Sequence, residues 1–331
     1  MLFIDNQNIT DPTINLAIEE FAVRHLPADE PILLFYINKP SIIIGRNQNT
    51  IEEINTNYVE DKGIKVVRRL SGGGAVYHDE GNLNFSFITA NDGKSFSNFK
   101  KFLEPIIAAL AKLGVGAEVK GRNDILVDDR KISGNAQFAT LGKIFTHGTL
   151  LFNSEMDEVV NALNVRKDKI ESKGKKSVRS RVANITEFLK EEMTIQQFRE
   201  HILLSIFGVD QVDAVSEYKL TESDWEKIHQ ISEERYANWD WNYGKSPQST
   251  AIFSKRFPVG VIDLHVVIDK GFMEEIKIFG DFFGVGEVTD IENILRGKKY
   301  DREVLREALK EVDIAHYFGA ITLDDFLELI Y

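Results

Sequence analysis

Hydrophobic spacing switches repeatedly between helical and strand periods. Ile14, Ala17, Ile18, Phe21 and Ala22 recur at helical spacing behind Asp11-Pro12. The aspartate can cap free N–H groups there, and proline suits the first helical position. Two short β-type runs follow, Ile32–Ile37 and Ser41–Ile44, with a short helix expected over 56–62. An alternating strand is expected over 83–89. A helix near 98–113 then buries Phe99, Phe102, Leu103, Ile106, Ile107 and Leu110, and Gly114 ends it. Pro105 inside that helix predicts a kink or a later start, because proline has no N–H to donate. Ile125–Val127 and Lys131–Phe138 read as a hairpin turning at Asp128-Asp129-Arg130, and His147–Phe152 reads as a further strand. Helices are expected near 194–207, with Leu203, Leu204, Ile206 and Phe207 in the core, and near 221–238, with Trp239 and Trp241 behind them as packing anchors.

At Asn242–Thr250 the pattern gives way to a polar linker containing glycine and proline, which we take as a domain boundary. It separates a large domain, 1–245, from a small one, 246–331. In the small domain Val261–Ile268 and Phe272–Phe279 flank Asp269-Lys270-Gly271 as a hairpin, and two helices near 301–312 and 322–330 finish the chain.

Composition narrows the function classes. A chain of 331 residues with 43% hydrophobic and 28% charged residues is an ordinary globular protein of more than one average domain. A net charge of −12 argues against general nucleic-acid binding, so any phosphate site must come from a local basic cluster. The absence of cysteine excludes disulfides, Cys-ligated zinc and any thioester carried on the protein. No apolar run reaches the ~20 residues that span a bilayer, and Met1–Asn6 has no signal-peptide character, so no membrane role and a cytoplasmic location are expected.

Candidate chemistry centres on residues 65–87. Arg68 and Arg69 end an apolar run, and Ser71, Gly72, Gly73 and Gly74 follow before Ala75-Val76-Tyr77-His78-Asp79. Glycines let the backbone approach a ligand with its N–H groups, and two guanidiniums beside them suit a phosphate or carboxylate. The loop has neither P-loop nor dinucleotide spacing. The alternative reading is a flexible turn carrying two surface arginines. Arg46, after the second β-type run, is either a ligand contact or a solvated loop residue. Lys131, next to Ser133-Gly134, is either an ordinary turn lysine or a ligand-facing ammonium, and His147 is either a general base or a structural histidine. Residues 166–181 hold eight basic residues against two acidic ones, with Gly174 and three serines. That composition suits a mobile lid over nucleotide phosphates, or simply a solvated face.

Arg68-Arg69-Leu70-Ser71-Gly72-Gly73-Gly74-Ala75-Val76-Tyr77-His78-Asp79 resembles the signature loop of lipoate–protein ligases. The similarity continues through Gly121-Arg122-Asn123-Asp124, Asp129–Gly134, His147–Leu150 and Lys176–Val182, in family order. The resemblance implies an α/β (α+β) fold: a large mixed-sheet catalytic domain of the biotin/lipoate ligase type and a small α+β C-terminal domain. It implies that Lys131 contacts the lipoyl carbonyl and the phosphate. Arg69 and the backbone of Gly74, Ala75, Val76 and Tyr77 would meet the nucleotide, and Ser71, Gly72 and Gly73 the lipoate. Asn123 and Asp124 would lie near the phosphate, where Mg2+ is expected. Ser133, Gly134 and His147 fall in matching motifs, and residues 174–183, with Ser177 and Arg179, match the adenylate-binding loop. The implied reaction joins lipoate to ATP as lipoyl-AMP and passes the lipoyl group to a lysine of an apo lipoyl domain. Acceptors would be 2-oxoacid dehydrogenase acyltransferase subunits or the glycine-cleavage H protein, and the default oligomeric state is a monomer. Octanoyltransferases and lipoyl amidotransferases of the same fold use a cysteine, which this chain lacks. Biotin ligase is a more distant rival, and a binding protein without catalysis would release no pyrophosphate from ATP when lipoate is added.

Overall fold

A computed structural model of the chain describes residues 1–27, 29–95, 98–121, 123–163, 181–246, 249–280, 282 and 286–331. These fall into two compact units, residues 1–46 with 63–238 and residues 47–62 with 239–331. The units therefore do not follow a single cut in the sequence.

The first unit is built on a seven-stranded mixed sheet. In chain order its strands are β1 (Leu2–Asp5), β2 (Ile32–Tyr36), β6 (Asn82–Ala90), β7 (Glu118–Lys120), β8 (Asp124–Val127), β9 (Arg130–Thr140) and β10 (Lys143–Leu151), and their spatial order is β1-β2-β6-β10-β9-β8-β7. Only β1 and β2 pair in parallel. A second sheet places β3 (Ser41–Ile44) between β4 (Lys65–Arg68) and β5 (Val76–His78).

Alternation along the strands assigns the two faces of the large sheet. Leu83, Phe85 and Phe87 of β6 join a core with helices α4 (Phe99–Lys112) and α6 (Ile195–Phe207), between which α5 (Met156–Ala162) falls in the chain. The opposite face carries Asn84 and Ser86, cross-strand neighbours of Thr149 and His147. Helix α1 (Pro12–His25) contacts β2, β6 and β10, and packs on α7 (Glu222–Ile231). Asp11 caps α1 as expected, accepting the Thr13 N–H at 3.0 Å. Helix α4 starts at Phe99 and runs through Pro105, so the later start does not occur. The helix expected over 221–238 ends at Ile231, and one wide turn, Ser232–Tyr236, follows it.

The second unit contains α2 (Thr50–Glu53), α3 (Thr56–Asp61) and α8 (Trp239–Asn242). Its antiparallel sheet is β11 (Ser249–Phe257), β12 (Gly260–Asp269) and β13 (Phe272–Gly280). Helices α9 (Val288–Leu295), α10 (Arg302–Leu309), α11 (Ile314–Phe318) and α12 (Leu323–Ile330) complete it. The expected hairpin is present. Strand β11 and helices α9 and α11 are additions to the sequence reading, which treated 242–250 as linker and ended on two helices. Strand β11 shows only a weak signal because it alternates Ile252, Ser254 and Arg256 outward on an exposed face. Trp239 is an anchor, stacking on Tyr243 at 5.6 Å. No described helix is long and apolar enough to cross a membrane.

Phe198 of α6 stacks on Phe152 at 4.7 Å and is fully buried. Phe198→Ala is expected to destabilise the first unit by ~3–5 kcal/mol, read as a lower urea midpoint of its unfolding transition.

Candidate active site

Strand β4 feeds the loop that returns as β5, and Arg69 organises that loop from inside. Its Nη2 donates to the carbonyls of Gly72 (2.8 Å) and Gly74 (2.9 Å). Its Nη1 donates to Ile43 O at 2.9 Å and its Nε to Ser71 Oγ at 3.0 Å. Burial pulls its pKa down to about 10, so it remains a cation at neutral pH. Gly73 is required by shape: its φ is +97°, and a Cβ there would lie 3.0 Å from Arg69 Nη2. A Cβ on Gly72 or Gly74 would meet nothing within 4 Å. Arg68 is fully buried and donates to the carbonyls of Gly45 and Arg46, both at 3.1 Å. Both guanidiniums thus hold backbone, whereas the sequence suggested two ligand-facing forks. Arg46 itself is exposed, with its guanidinium 5.5 Å from the Phe138 ring.

Lys131 reaches the cavity face through a β-bulge. On β8, the adjacent residues Ile125 and Leu126 pair with Ser133 and Lys131 of β9, leaving Ile132 as an extra residue. Regular alternation would put Lys131 on the face opposite Gly134, and the bulge reverses it. Lys131 Nζ then lies 2.8 Å from Asp124 Oδ1, and a Cβ on Gly134 would come within 2.9 Å of that nitrogen. The Lys131 backbone is clamped by Arg181 O (2.8 Å) and the Ala183 N–H (3.0 Å). Asn123 and Asn135 bond reciprocally: the Asn123 amide donates to Asn135 O, and Asn135 Nδ2 to Asn123 O at 2.9 Å. Asp128 and Asp129, at φ +50° and +61°, form the two-residue turn between β8 and β9, as a primed hairpin turn demands.

A buried polar chain links α1 to the loop. Glu19 Oε1 lies 2.9 Å from His147 Nδ1, and His147 Nε2 lies 2.6 Å from Ser71 Oγ. With Arg69 Nε donating to Ser71, the consistent assignment has Ser71 donating to Nε2 and Nδ1–H donating to the Glu19 carboxylate. Serine, histidine and carboxylate in a row suggest a hydrolytic triad, but Ser71 is fully buried and occupied by Arg69. His147 is thus a structural histidine tied to the loop, one of the two readings open in the sequence. Tyr36 lies nearby, its hydroxyl pKa raised by burial and by the Glu19 charge. Gly148, beside His147, lies so close to Asn135 that a Cβ would approach Asn135 Oδ1 to 1.8 Å.

The elements enclose a cavity of about 330 Å³. Of the residues that the sequence singled out, Arg69, Gly73, Gly74, Ala75, Val76, Asn123, Lys131, Gly134 and His147 line it. Ser71, Gly72, Tyr77, Asp124 and Ser133 lie behind or beside the wall; Tyr77 alternates away from Val76 and His78 on β5, and Ser133 Oγ is taken by Asn135 Nδ2 at 3.1 Å. Ser177 and Arg179, with most of the expected lid, lie outside the described residues. Sequence reasoning missed Leu16, Tyr36, Ile43, His78, Asn84, Asn135, Ala136, Gly148 and Thr149. Leu16 looked like an ordinary helix position, His78, Gly148 and Thr149 fell inside the matching motifs without being singled out, and the rest looked like ordinary strand positions. His78 is buried, and its pKa is pushed down to about 3 by burial, then by Arg69 and His147.

Residues 11–207 match the lipoyl protein ligase A/B catalytic domain, and residues 246–330 match the bacterial lipoate protein ligase C-terminus. The lipoate-protein ligase LplJ of Bacillus subtilis is 68% identical over 331 residues, covering both chains fully. The bipartite lipoate protein ligase of Thermoplasma acidophilum, studied with its E2 lipoyl domain, superposes with a TM-score of 0.64 at 29% identity, over 75% of this chain and 97% of that one. A lipoate-protein ligase A bound with ATP gives a TM-score of 0.63 at 27% identity, over 74% and 98%. The chain belongs to the lipoate–protein ligase family and joins lipoate to proteins.

Ser71→Ala is expected to leave Arg69 Nε and His147 Nε2 unpaired in the interior. The loss should be ~1–3 kcal/mol of stability in urea unfolding, with a parallel fall in kcat/KM for lipoate as the loop loosens.

Proposed function

We propose that this cavity takes lipoate and ATP together and that ligation runs through lipoyl-AMP. The lipoate carboxylate oxygen attacks the α-phosphorus, the bond to the bridging oxygen breaks and pyrophosphate leaves. The amine of an acceptor lysine then attacks the carbonyl carbon of the anhydride, AMP leaves and the amine releases its proton. The observation that carries this reading is Lys131 Nζ, turned by the bulge onto the cavity face opposite the glycine loop. There it meets the lipoate carboxylate, then the phosphate oxygen, and stabilises the charge that develops between them. Its role is electrostatic, so no acyl-lysine forms on it. Leu16, Tyr36, Ile43 and Val76 offer an apolar wall for the acyl chain. Gly73, Gly74 and Ala75 offer a loop open enough for the phosphates, and the ATP-bound relative supports the nucleotide assignment.

Asp124 and Asn123 are hard oxygen donors beside Lys131, and they fit a magnesium ion that arrives on phosphate oxygens and keeps its waters. Such an ion would neutralise charge on the phosphates. The acceptor is an apo lipoyl domain of a 2-oxoacid dehydrogenase acyltransferase subunit or the glycine-cleavage H protein. The archaeal relative and its E2 lipoyl domain support that class. Residues 1–245 would form the catalytic domain and 246–331 an accessory one, in a cytoplasmic monomer.

Incubation with ATP, Mg2+, lipoate and an apo lipoyl domain should add one lipoyl group to the acceptor by intact mass spectrometry. Lys131→Ala should lower the rate by ~10²-fold or more, because the charge that develops between carboxylate and phosphate loses its cation. Pyrophosphate release without lipoate, or a stable acyl group on Lys131 during turnover, would overturn the reading.

A further inference from the structure

A second buried polar chain runs from the N-terminal loop to the cavity and has no part in the reaction described above. It begins at the carbonyl of Ile9, which can only accept. Asn6 Nδ2 and Asn15 Nδ2 both donate to it, at 2.8 and 2.9 Å. Asn6 Nδ2 also donates to Asn15 Oδ1 at 2.9 Å, and Asn15 Nδ2 to Asn38 Oδ1 at 2.8 Å. Asn38 therefore turns its NH2 toward His78 Nδ1, 3.0 Å away. All three asparagines and His78 are at most 3% exposed.

The carbonyl anchor removes the ambiguity that amide orientation usually carries. Reversing Asn38 would set its NH2 against that of Asn15, and reversing Asn15 would set its oxygen against Ile9 O. With an N–H donor aimed at it, Nδ1 must be the acceptor, so the proton of a neutral His78 sits on Nε2. Protonating the ring would place Nδ1–H against the Asn38 amide hydrogen. The far nitrogen, Nε2, is buried and has no hydrogen-bond partner among the described residues. His78 lines the same cavity as Lys131. A buried donor left unpaired is costly, and a ligand oxygen would satisfy it. The groups that face His78 from packed elements are Arg69 of the loop, His147 of β10, Tyr36 of β2 and Lys131 of β9, with Ser41 of β3 as its cross-strand partner.

We infer that Asn38, backed by Asn15 and Asn6, is a positioning residue that holds His78 as the neutral Nε2–H tautomer, so that Nε2 donates a hydrogen bond to an anionic oxygen of the bound carboxylate or phosphate. The inference rests on the reading that this cavity takes an acyl carboxylate and a nucleotide. In this role His78 is a fixed donor and never a base, since the nitrogen facing the ligand already carries its proton. An Asn-to-His contact that served packing alone would not need the directed amide chain behind it.

The free protein decides the tautomer. Long-range proton–nitrogen correlation on 15N-histidine protein should give His78 a bare, pyridine-type Nδ1 and a protonated Nε2, unchanged from pH 5 to pH 8. His78→Gln identifies the signal by its absence. A protonated Nδ1, or titration of the ring in that window, overturns the inference. Lipoate alone and AMP alone are then added separately, and the one whose oxygen takes the bond shifts the Nε2 signal. If other histidine signals respond to a ligand while Nε2 of His78 does not, the donor role fails and the ligase reading stands. If neither ligand moves any signal, the cavity reading fails.

Asn38→Asp supplies a readout that packing would not move. A carboxylate at position 38 draws a proton to Nδ1 and raises the His78 pKa. The cation keeps Nε2–H, so the donor is present at low pH and is lost as pH rises through the new pKa. Lipoate-dependent pyrophosphate release should therefore fall by ~10-fold toward pH 8, a loss the wild type lacks, since a neutral donor contributes about one hydrogen bond. A folded Asn38→Asp protein whose pH profile runs parallel to wild type overturns the inference. Should that variant fail to fold, the wild-type tautomer still decides.

Discussion

A buried guanidinium shapes the glycine loop beside the cavity. Arg69 forms no ion pair among the described residues; four of its donors go instead to three carbonyls and a serine hydroxyl. A charge taken out of water is tolerable only when its donors are met, and a loop curling around Arg69 is what meets them. The glycines follow from that constraint in different ways. Gly73 has a positive φ and no room for a Cβ beside the guanidinium, whereas Gly72 and Gly74 leave open space beside the loop. One side of the loop is therefore packed against Arg69, and the other meets no described atom at Gly72 or Gly74.

That arrangement is coupled to the rest of the first unit through Ser71. Its hydroxyl joins Arg69 to His147, and His147 joins β10 to Glu19 of α1. The neighbouring Glu20 is equally buried and paired with Arg24 at 2.6 Å and Arg235 at 3.0 Å. Helix α1 is thus more than an apolar cover for the sheet. It carries two carboxylates into the interior, one serving the loop and the other tying α1 to the turn behind α7. A buried network of this kind is rigid only when every member is satisfied, so deletion at one end should be felt at the other.

Much of the site was legible because its chemistry sits in contiguous, compositionally unusual stretches. Ser71–Gly74 is too rich in glycine for an ordinary strand, Lys131 stands directly before Ser133-Gly134, and the lack of cysteine argues against enzymes that carry the acyl group as a thioester. Individual orientations were not legible. Arg68 and Arg69 look alike in the sequence, and both turn inward, Arg68 to hold Gly45 and Arg46, Arg69 to hold the loop. His78 was only one member of the signature loop; the asparagines from three separate segments give its nitrogen a direction. The segment 47–62, which the linear reading kept with the large domain, buries Ile51 in the core of the second unit.

By itself the sequence determined the family, the helices and strands that carry strong periodicity, and the identity of the candidate lysine and loop. These are local properties: spacing, capping residues and glycine content act within a few positions of one another. The tertiary structure decided which way those residues face. Strict alternation would turn Lys131 to the opposite face from Gly134. A single extra residue, Ile132, bulges from β9 because β8 pairs on both sides of it, and the ammonium swings to the cavity beside Asp124. Strand parity depends on the register of a partner strand, which no short window of sequence contains.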